Sequence, residues 1–97
     1  MSFTNNPWSI NANRNSGKEI SLSEDSFFQA SYGQNLIVNC TADAELNPAG
    51  SFTSGAGINV FNIGTHTILF DGAFVISAGQ QASFAYDDTN KEFVGGV

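Results

Sequence analysis

Basic residues are almost missing from this sequence. Arg14, Lys18 and Lys91 stand against nine acids in 97 residues, for a formal net charge of -6. A chain without a cluster of Lys and Arg has little to offer a phosphate backbone or an anionic lipid surface, so neither nucleic acid nor membrane is an expected partner. Charged residues of both signs together reach only 12%, about half the usual share. A small domain has much surface to cover. Either Asn, Ser, Thr, Gln and Gly cover it, or part of it is buried against other chains, and both are expected here. The single cysteine, Cys40, excludes an internal disulfide. No apolar run approaches the roughly 18 residues of a membrane-spanning helix, and the start, Met1 to Asn6, has neither a basic nor an apolar leader region, so export by a signal peptide is not expected. No stretch carries an apolar stripe of helical period with caps at its ends, which excludes a helical bundle.

Aromatics and short alternating runs are what the chain does have: nine Phe, two Tyr and one Trp. A chain of this length makes one domain, burying roughly 60 to 65% of its unfolded surface. Residues 1–17 are rich in Asn and Ser and show no sustained period, and they read as an extended N-terminal arm. Within it Trp8, with Phe3 and Pro7, is the expected partner anchor, because a large amphipathic ring is costly to leave in water. Residues 18–97 read as one β domain.

That domain is organised around Gly57 to Gly72. Two β-branched and aromatic runs, Ile58 to Ile63 and Thr65 to Phe70, meet at Gly64, and Asp71-Gly72 is the strongest hairpin signal in the chain. Neighbouring apolar residues in these runs put side chains on both faces of a pleated ribbon. A ribbon of that kind needs cover on both sides, so Ile58, Val60, Phe61, Ile68 and Phe70 are candidate subunit-interface residues. Ahead of it, Ile20 and Leu22, then Phe28, Ala30 and Tyr32, alternate with polar residues around Glu24-Asp25-Ser26, which fits a hairpin. Leu36, Val38, Cys40, Ala42, Ala44 and Leu46 hold one phase, with a break near Asp43 into two strands, and Asn47-Pro48-Ala49-Gly50 ends the run. Phe52 suggests a further short strand. After Gly72, Phe74 to Ile76, Ala82 to Tyr86 and Lys91 to Val94 complete the set, with Asp87-Asp88-Thr89-Asn90 as a hairpin loop. The expected fold is all-β: a small antiparallel sandwich or barrel of seven to nine short strands, with a short β-helix as the alternative.

Reactive chemistry is sparse. His66 shares a phase with Ile68 and Phe70 and reads as a strand residue. Cys40, in phase with Leu36 and Val38, reads as a small buried hydrophobe and not as a thiolate nucleophile. Asp88, Asn90 and Glu92 have the one-three-five spacing of a calcium loop, but Phe93 stands where its glycine belongs. Carboxylates of Asp71, Asp87 and Asp88 at turn tips lack the burial that an acid-base pair requires. No catalytic residue, metal site or cofactor is expected, and the expected function is non-enzymatic.

Three stretches together resemble small structural modules of phage virions, such as head decoration or cement proteins, head fibres and tail-spike segments. They are Asn35-Leu36-Ile37-Val38-Asn39; Gly57 to Gly64 followed by Thr67-Ile68-Leu69-Phe70; and Ser77 to Asp88 with Phe93 closing the hairpin. The resemblance covers roughly two thirds of the chain and is one of residue types. It implies a homotrimer on the outer surface of the capsid, assembled in the host cytoplasm and bound to the major capsid protein through the arm. The chain is short for a receptor-binding fibre, which favours a capsid decoration protein. The competing expectation is a carbohydrate-binding or adhesin module, such as a tail-fibre segment recognising a host glycan through Trp8, Tyr32 and Tyr86.

Overall fold

The computed structural model describes residues 17–97, so the arm residues Phe3, Pro7 and Trp8 lie outside the described residues. Among the described residues nine strands form two sheets. The described part opens with β1 (Lys18–Leu22), turns at Ser23-Glu24-Asp25 and continues as β2 (Ser26–Gln29). It then repeats that course twice, as β3 (Asn35–Cys40) with β4 (Ala44–Ala49), and as β5 (Gly57–Asn62) with β6 (Ile68–Phe70). β1, β3 and β5 pair in parallel in one sheet, and β2, β4 and β6 do so in the other. Three coils are thus stacked in the manner of a short β-helix. Lys18 lies opposite Leu36, 18 residues on, and Leu36 opposite Val60, 24 residues on. Coils of unequal length leave no exact repeat in the sequence.

The third coil is closed by antiparallel strands. β7 (Phe74–Ile76) returns along β6, β8 (Gln81–Asp87) along β5, and β9 (Glu92–Gly96) along β8. The sheets are therefore a five-stranded β1-β3-β5-β8-β9 and a four-stranded β2-β4-β6-β7. The all-β architecture and the strand number agree with the sequence reading. The antiparallel expectation holds only for the closing strands; the coils are parallel. The hairpin expected across Glu24-Asp25-Ser26 is instead a corner between sheets, and Gly64 likewise turns the chain from one sheet into the other. Two hairpins are where the residues place them. Asp71 and Gly72 adopt φ of 55° and 67°, the left-handed pair of a tight hairpin turn, and the Ala73 amide donates to the Phe70 carbonyl at 3.0 Å. Asp87 to Lys91 connects β8 to β9, with Lys91 at φ 57°.

Alternation decides which residues meet inside. Leu22, Leu36, Val38, Cys40, Val60 and Ala82 point inward from the five-stranded sheet; Phe28, Leu46, Ile68, Phe70 and Ile76 point inward from the other. At one side of the core the gap between sheets is filled by rings. Phe70 stacks on Phe84 at 4.2 Å between centroids, and Phe93 meets Phe52, Phe70 and Tyr86 edge to face at 5.2–5.5 Å. Phe28 joins them through Phe70 and Phe52. Phe52 lies on the β4–β5 loop and not on the short strand expected for it. Pro48 sits within β4 instead of ending it, beyond Leu46, the last residue that β6 reaches, so its missing N–H breaks no ladder bond on that side.

The corners stack as closely as the strands. Thr41 donates its amide to Leu22 O, Ile63 to Val38 O, and Thr65 and His66 both to Cys40 O. Asp25 accepts the Glu45 amide of the next coil at 2.9 Å, and Asp43 accepts the Thr67 amide at 3.0 Å, so an acidic side chain ties each of the first two corners to the coil that follows. Asn62, buried to 1% exposure, donates to His66 O and Ile76 O and accepts from the Gly64 amide. Gly64 passes so near the backbone of Cys40 that a Cβ would overlap its N, C and O atoms. Gly64→Ala is therefore expected to cost at least about 2 kcal/mol, as overpacking against rigid backbone does. Gly72→Ala, where φ is 67° and the space is open, costs only about 1 kcal/mol. Urea denaturation of both variants checks the order, and equal losses would refute the corner-stacking account.

Candidate functional site

The inward faces of β5 and β6 settle where the candidate interface residues lie. Ile58, Val60, Ile68 and Phe70 are buried in the chain's own core at 0–5% exposure, so they are not available to a second subunit. The ribbon finds its cover within the chain because the corner at Gly64 folds β6 back to face the other sheet. Only Phe61, on the outward side of β5 and half-buried, remains from the expected set.

The residues weighed for chemistry are kept apart. Cys40 is buried, its sulfur 3.1 Å from Ala42 O and 3.6 Å from Thr67 O. Burial pushes its thiol pKa up, the hydrogen bond to Ala42 pulls it down, and the Asp43 charge adds to the rise. Such a thiol is a poor nucleophile. His66 is exposed, with Nδ1 3.0 Å from Thr65 Oγ1, so the imidazole lies outside while the sulfur lies within. The hairpin carboxylates hold their own loop. Asp87 accepts the amides of Thr89 and Asn90 and the Asn90 side-chain amide, and Asp88 pairs with Lys91 at 2.7 Å. Asp71 differs: partial burial raises its pKa, against a hydrogen bond from the Phe93 backbone.

Clefts in the described surface include one between loops and one beside the corners. One, of about 230 Å³, lies between the loops that lead into β3 and β5 and is lined by Ala30, Gly33, Gln34, Ser51, Phe52 and Thr53 among others. It offers hydroxyls and amides but no titratable side chain. The other, of about 310 Å³, has Leu69 and Ala44 beside Asp25, Asp43, Glu45 and Thr67. Two of its acids are engaged with the corner amides, and among the described residues no group of three ligating side chains is placed to hold a metal ion.

What the molecule presents more clearly is apolar surface on both outer faces. Phe27 and Val75 are exposed on the four-stranded sheet at 65% and 58%, and Ile63 at the third corner at 60%. Ile37 and Val94 lie on the outer face of the five-stranded sheet, with Ile37 opposite Phe61. The sequence carried a signal for these that the ribbon reading passed over: Phe27, Ile37 and Val75 are each the off-phase neighbour of an inward residue, beside Phe28, Leu36 and Ile76. The glycan-type rings are less free. Tyr86 packs on Phe52 and Phe93, and the half-buried Tyr32 lies 5.1 Å beneath the Lys18 ammonium.

The titration of Asp87 carries a stability consequence. The hydrogen bond from the Asn90 side chain lowers its pKa most; desolvation opposes it, and the Thr89 and Asn90 amides lower it further. A folded-state pKa below the unfolded value stabilises the fold above the unfolded pKa, and that gain is lost as pH falls through the folded value. Asp87→Ala is therefore expected to lower the melting temperature at pH 7 and to flatten its fall below about pH 4. Thermal melts from neutral to acid pH measure this, and an unchanged acid limb would show that the hairpin carboxylate contributes nothing. Compared with protein-family models, with curated proteins and with solved structures, the chain matches none.

Proposed function

We propose that this protein is a non-enzymatic structural module of a virion, a capsid decoration or cement protein that associates as a homotrimer and binds the outer head shell. The observation that supports it is apolar surface left over after the core is complete. One copy fills its own interior, yet Phe27, Ile37, Ile63, Val75, Val94 and Val97 remain outside, on a chain with few charges to keep copies apart. Large exposed apolar side chains in a molecule so poorly supplied with surface charge favour contact with other proteins. The phage setting rests on the sequence resemblance, which pairs this kind of module with a contact to the major capsid protein.

In this reading the action is mechanical. Apolar area buried between decoration protein and shell, at about 25 cal/mol per Å² less the cost of association, adds stability to the assembled shell. Association multiplies weak contacts through effective concentration, so each N-terminal segment need bind only loosely. The parallel coils suit the task because every strand is tied to its neighbours through corner and ladder bonds.

Removal of residues 1–16, or Trp8→Ala, is expected to abolish binding to empty head shells while the β domain keeps its far-ultraviolet dichroism and melting temperature. Co-sedimentation with shells measures the binding. Full occupancy by the truncated chain would overturn the assignment of the anchor to Phe3, Pro7 and Trp8. Binding of the full chain to a glycan array, and not to any shell, would replace the reading by the carbohydrate-binding one.

A further inference from the structure

The cleft of about 230 Å³ arises where successive coils part from one another. β2 and β4 stay paired as far as Gln29 opposite Ala49, and β3 and β5 are paired again from Asn35 opposite Asn59. Between those points the chain takes two different routes. One is a short 3-10 turn, Ala30–Tyr32, followed by Gly33 at φ 94°; the other is the longer loop that leads from β4 to β5. The coils are held together before and after, while the connections spread and leave a gap. Its banks are pinned. Gln34 O accepts the Asn59 amide at 2.7 Å, Thr53 O accepts the Ala56 amide at 2.9 Å, and the Gly55 amide donates to Tyr86 O at 2.7 Å. A cleft fixed in this way is formed before anything enters it, as small-molecule sites usually are.

The lining combines an apolar wall with free polar groups. Phe52 and Ile58 make the wall, and the Phe52 ring is fixed by Phe93 edge to face at 5.2 Å and by Tyr86 at 5.6 Å. Gln34, Ser51 and Thr53 bring an amide and two hydroxyls, and among the described residues none of these side chains has a hydrogen-bond partner within the chain. No charged side chain is among the lining residues. These properties sort the ligands. A phosphate or carboxylate would meet no cation in a chain of net charge -6, and a cation would meet no carboxylate in the cleft. A wholly apolar molecule would cover the amide and hydroxyls without replacing their bonds to water, which costs free energy. What satisfies the lining is an uncharged molecule with hydroxyls at its rim and C–H groups on one face, the make-up of a neutral sugar ring.

We infer that this cleft binds one neutral hexose residue, with C–H groups against Phe52 and Ile58 and hydroxyls bonded to Gln34, Ser51 and Thr53. Its volume falls below the roughly 300 to 1,000 Å³ of sites that take drug-sized ligands, which limits the ligand to about one ring and leaves any attached chain outside. With so few contacts, the dissociation constant is expected on the order of 1 mM. Tyr32 and Tyr86 are not among the lining residues, so the site differs from the one that the tyrosines suggest in the sequence. The inference does not depend on the capsid reading. Shell binding is assigned to the N-terminal segment, and either assignment can fail while the other stands.

Amide-resolved NMR of the full chain, titrated with glucose, galactose or mannose to about 50 mM, reads binding residue by residue. At least one of the three is expected to shift the amides of residues 30–34 and 51–58 along a saturating curve, while sialic acid, a sugar with a carboxylate, shifts none of them. Gln34→Ala and Thr53→Val, both at exposed positions, are expected to weaken that binding about fivefold or more each. Val75→Thr, on the outer face of the four-stranded sheet, is expected to leave it within about twofold, and dichroism and melting confirm that all three variants are folded. The inference is overturned if no neutral sugar moves these amides, if the shifts fall elsewhere in the chain, or if sialic acid binds as well as the neutral sugars. Binding that is unchanged in both Gln34→Ala and Thr53→Val overturns it equally.

Discussion

Everything in this fold depends on how closely one corner can lie on the next. A parallel coil brings strands to hydrogen-bonding distance only if the turns between sheets stack at the same spacing, and here they do so through backbone. Cys40 O receives two amides from the corner above, Leu22 O receives one, and Gly64 approaches Cys40 more closely than any residue with a Cβ allows. Buried Asn62 then satisfies the groups that the sharp turn would leave without partners. The corner at Asn62–His66 is a polar construction inside an apolar molecule. It is what sends β6 to the opposite sheet.

Once the corners stack, packing follows from the two-residue period. Each coil contributes a few inward side chains from each sheet, too few and too small to close the gap on the side of the β4–β5 loop. Rings close it. Phe52 from the loop and Phe93 from the last strand meet Phe28 and Phe70 from the coils, so residues far apart in the chain depend on one another for burial. The antiparallel strands β8 and β9 do more than extend a sheet, since they deliver Phe84 and Phe93 to that cluster. Low charge has the complementary effect outside. With the core already complete, apolar and amide side chains remain on the surface, and acids stand at corners, at the hairpin tip and on both faces. The same Asp residues that complete the first two corners make the cleft beside the four-stranded sheet acidic. Corner chemistry and surface charge are two results of one placement.

Much was determined by the sequence alone. Period-2 alternation marked the strands, the break near Asp43 separated β3 from β4, and Asp71-Gly72 and Asp87-Asp88-Thr89-Asn90 marked their hairpins, because turn geometry and strand phase are local properties of the chain. The inward role of Cys40 was legible for the same reason. Pairing was not. Alternation is the same in a hairpin and in a coil, so nothing local distinguishes a turn that pairs β1 with β2 from a corner that sends them to different sheets, and coils of 18 and 24 residues disguise the repeat. The tertiary structure alone decided that Ile58, Val60, Ile68 and Phe70 cover one another across the core instead of facing a partner, and that Ile37 joins Phe61 in an outer row between Glu19 and Gln81. Those outcomes depend on which strands become neighbours, and that is governed by backbone contacts such as Gly64 on Cys40 between residues 24 apart in sequence.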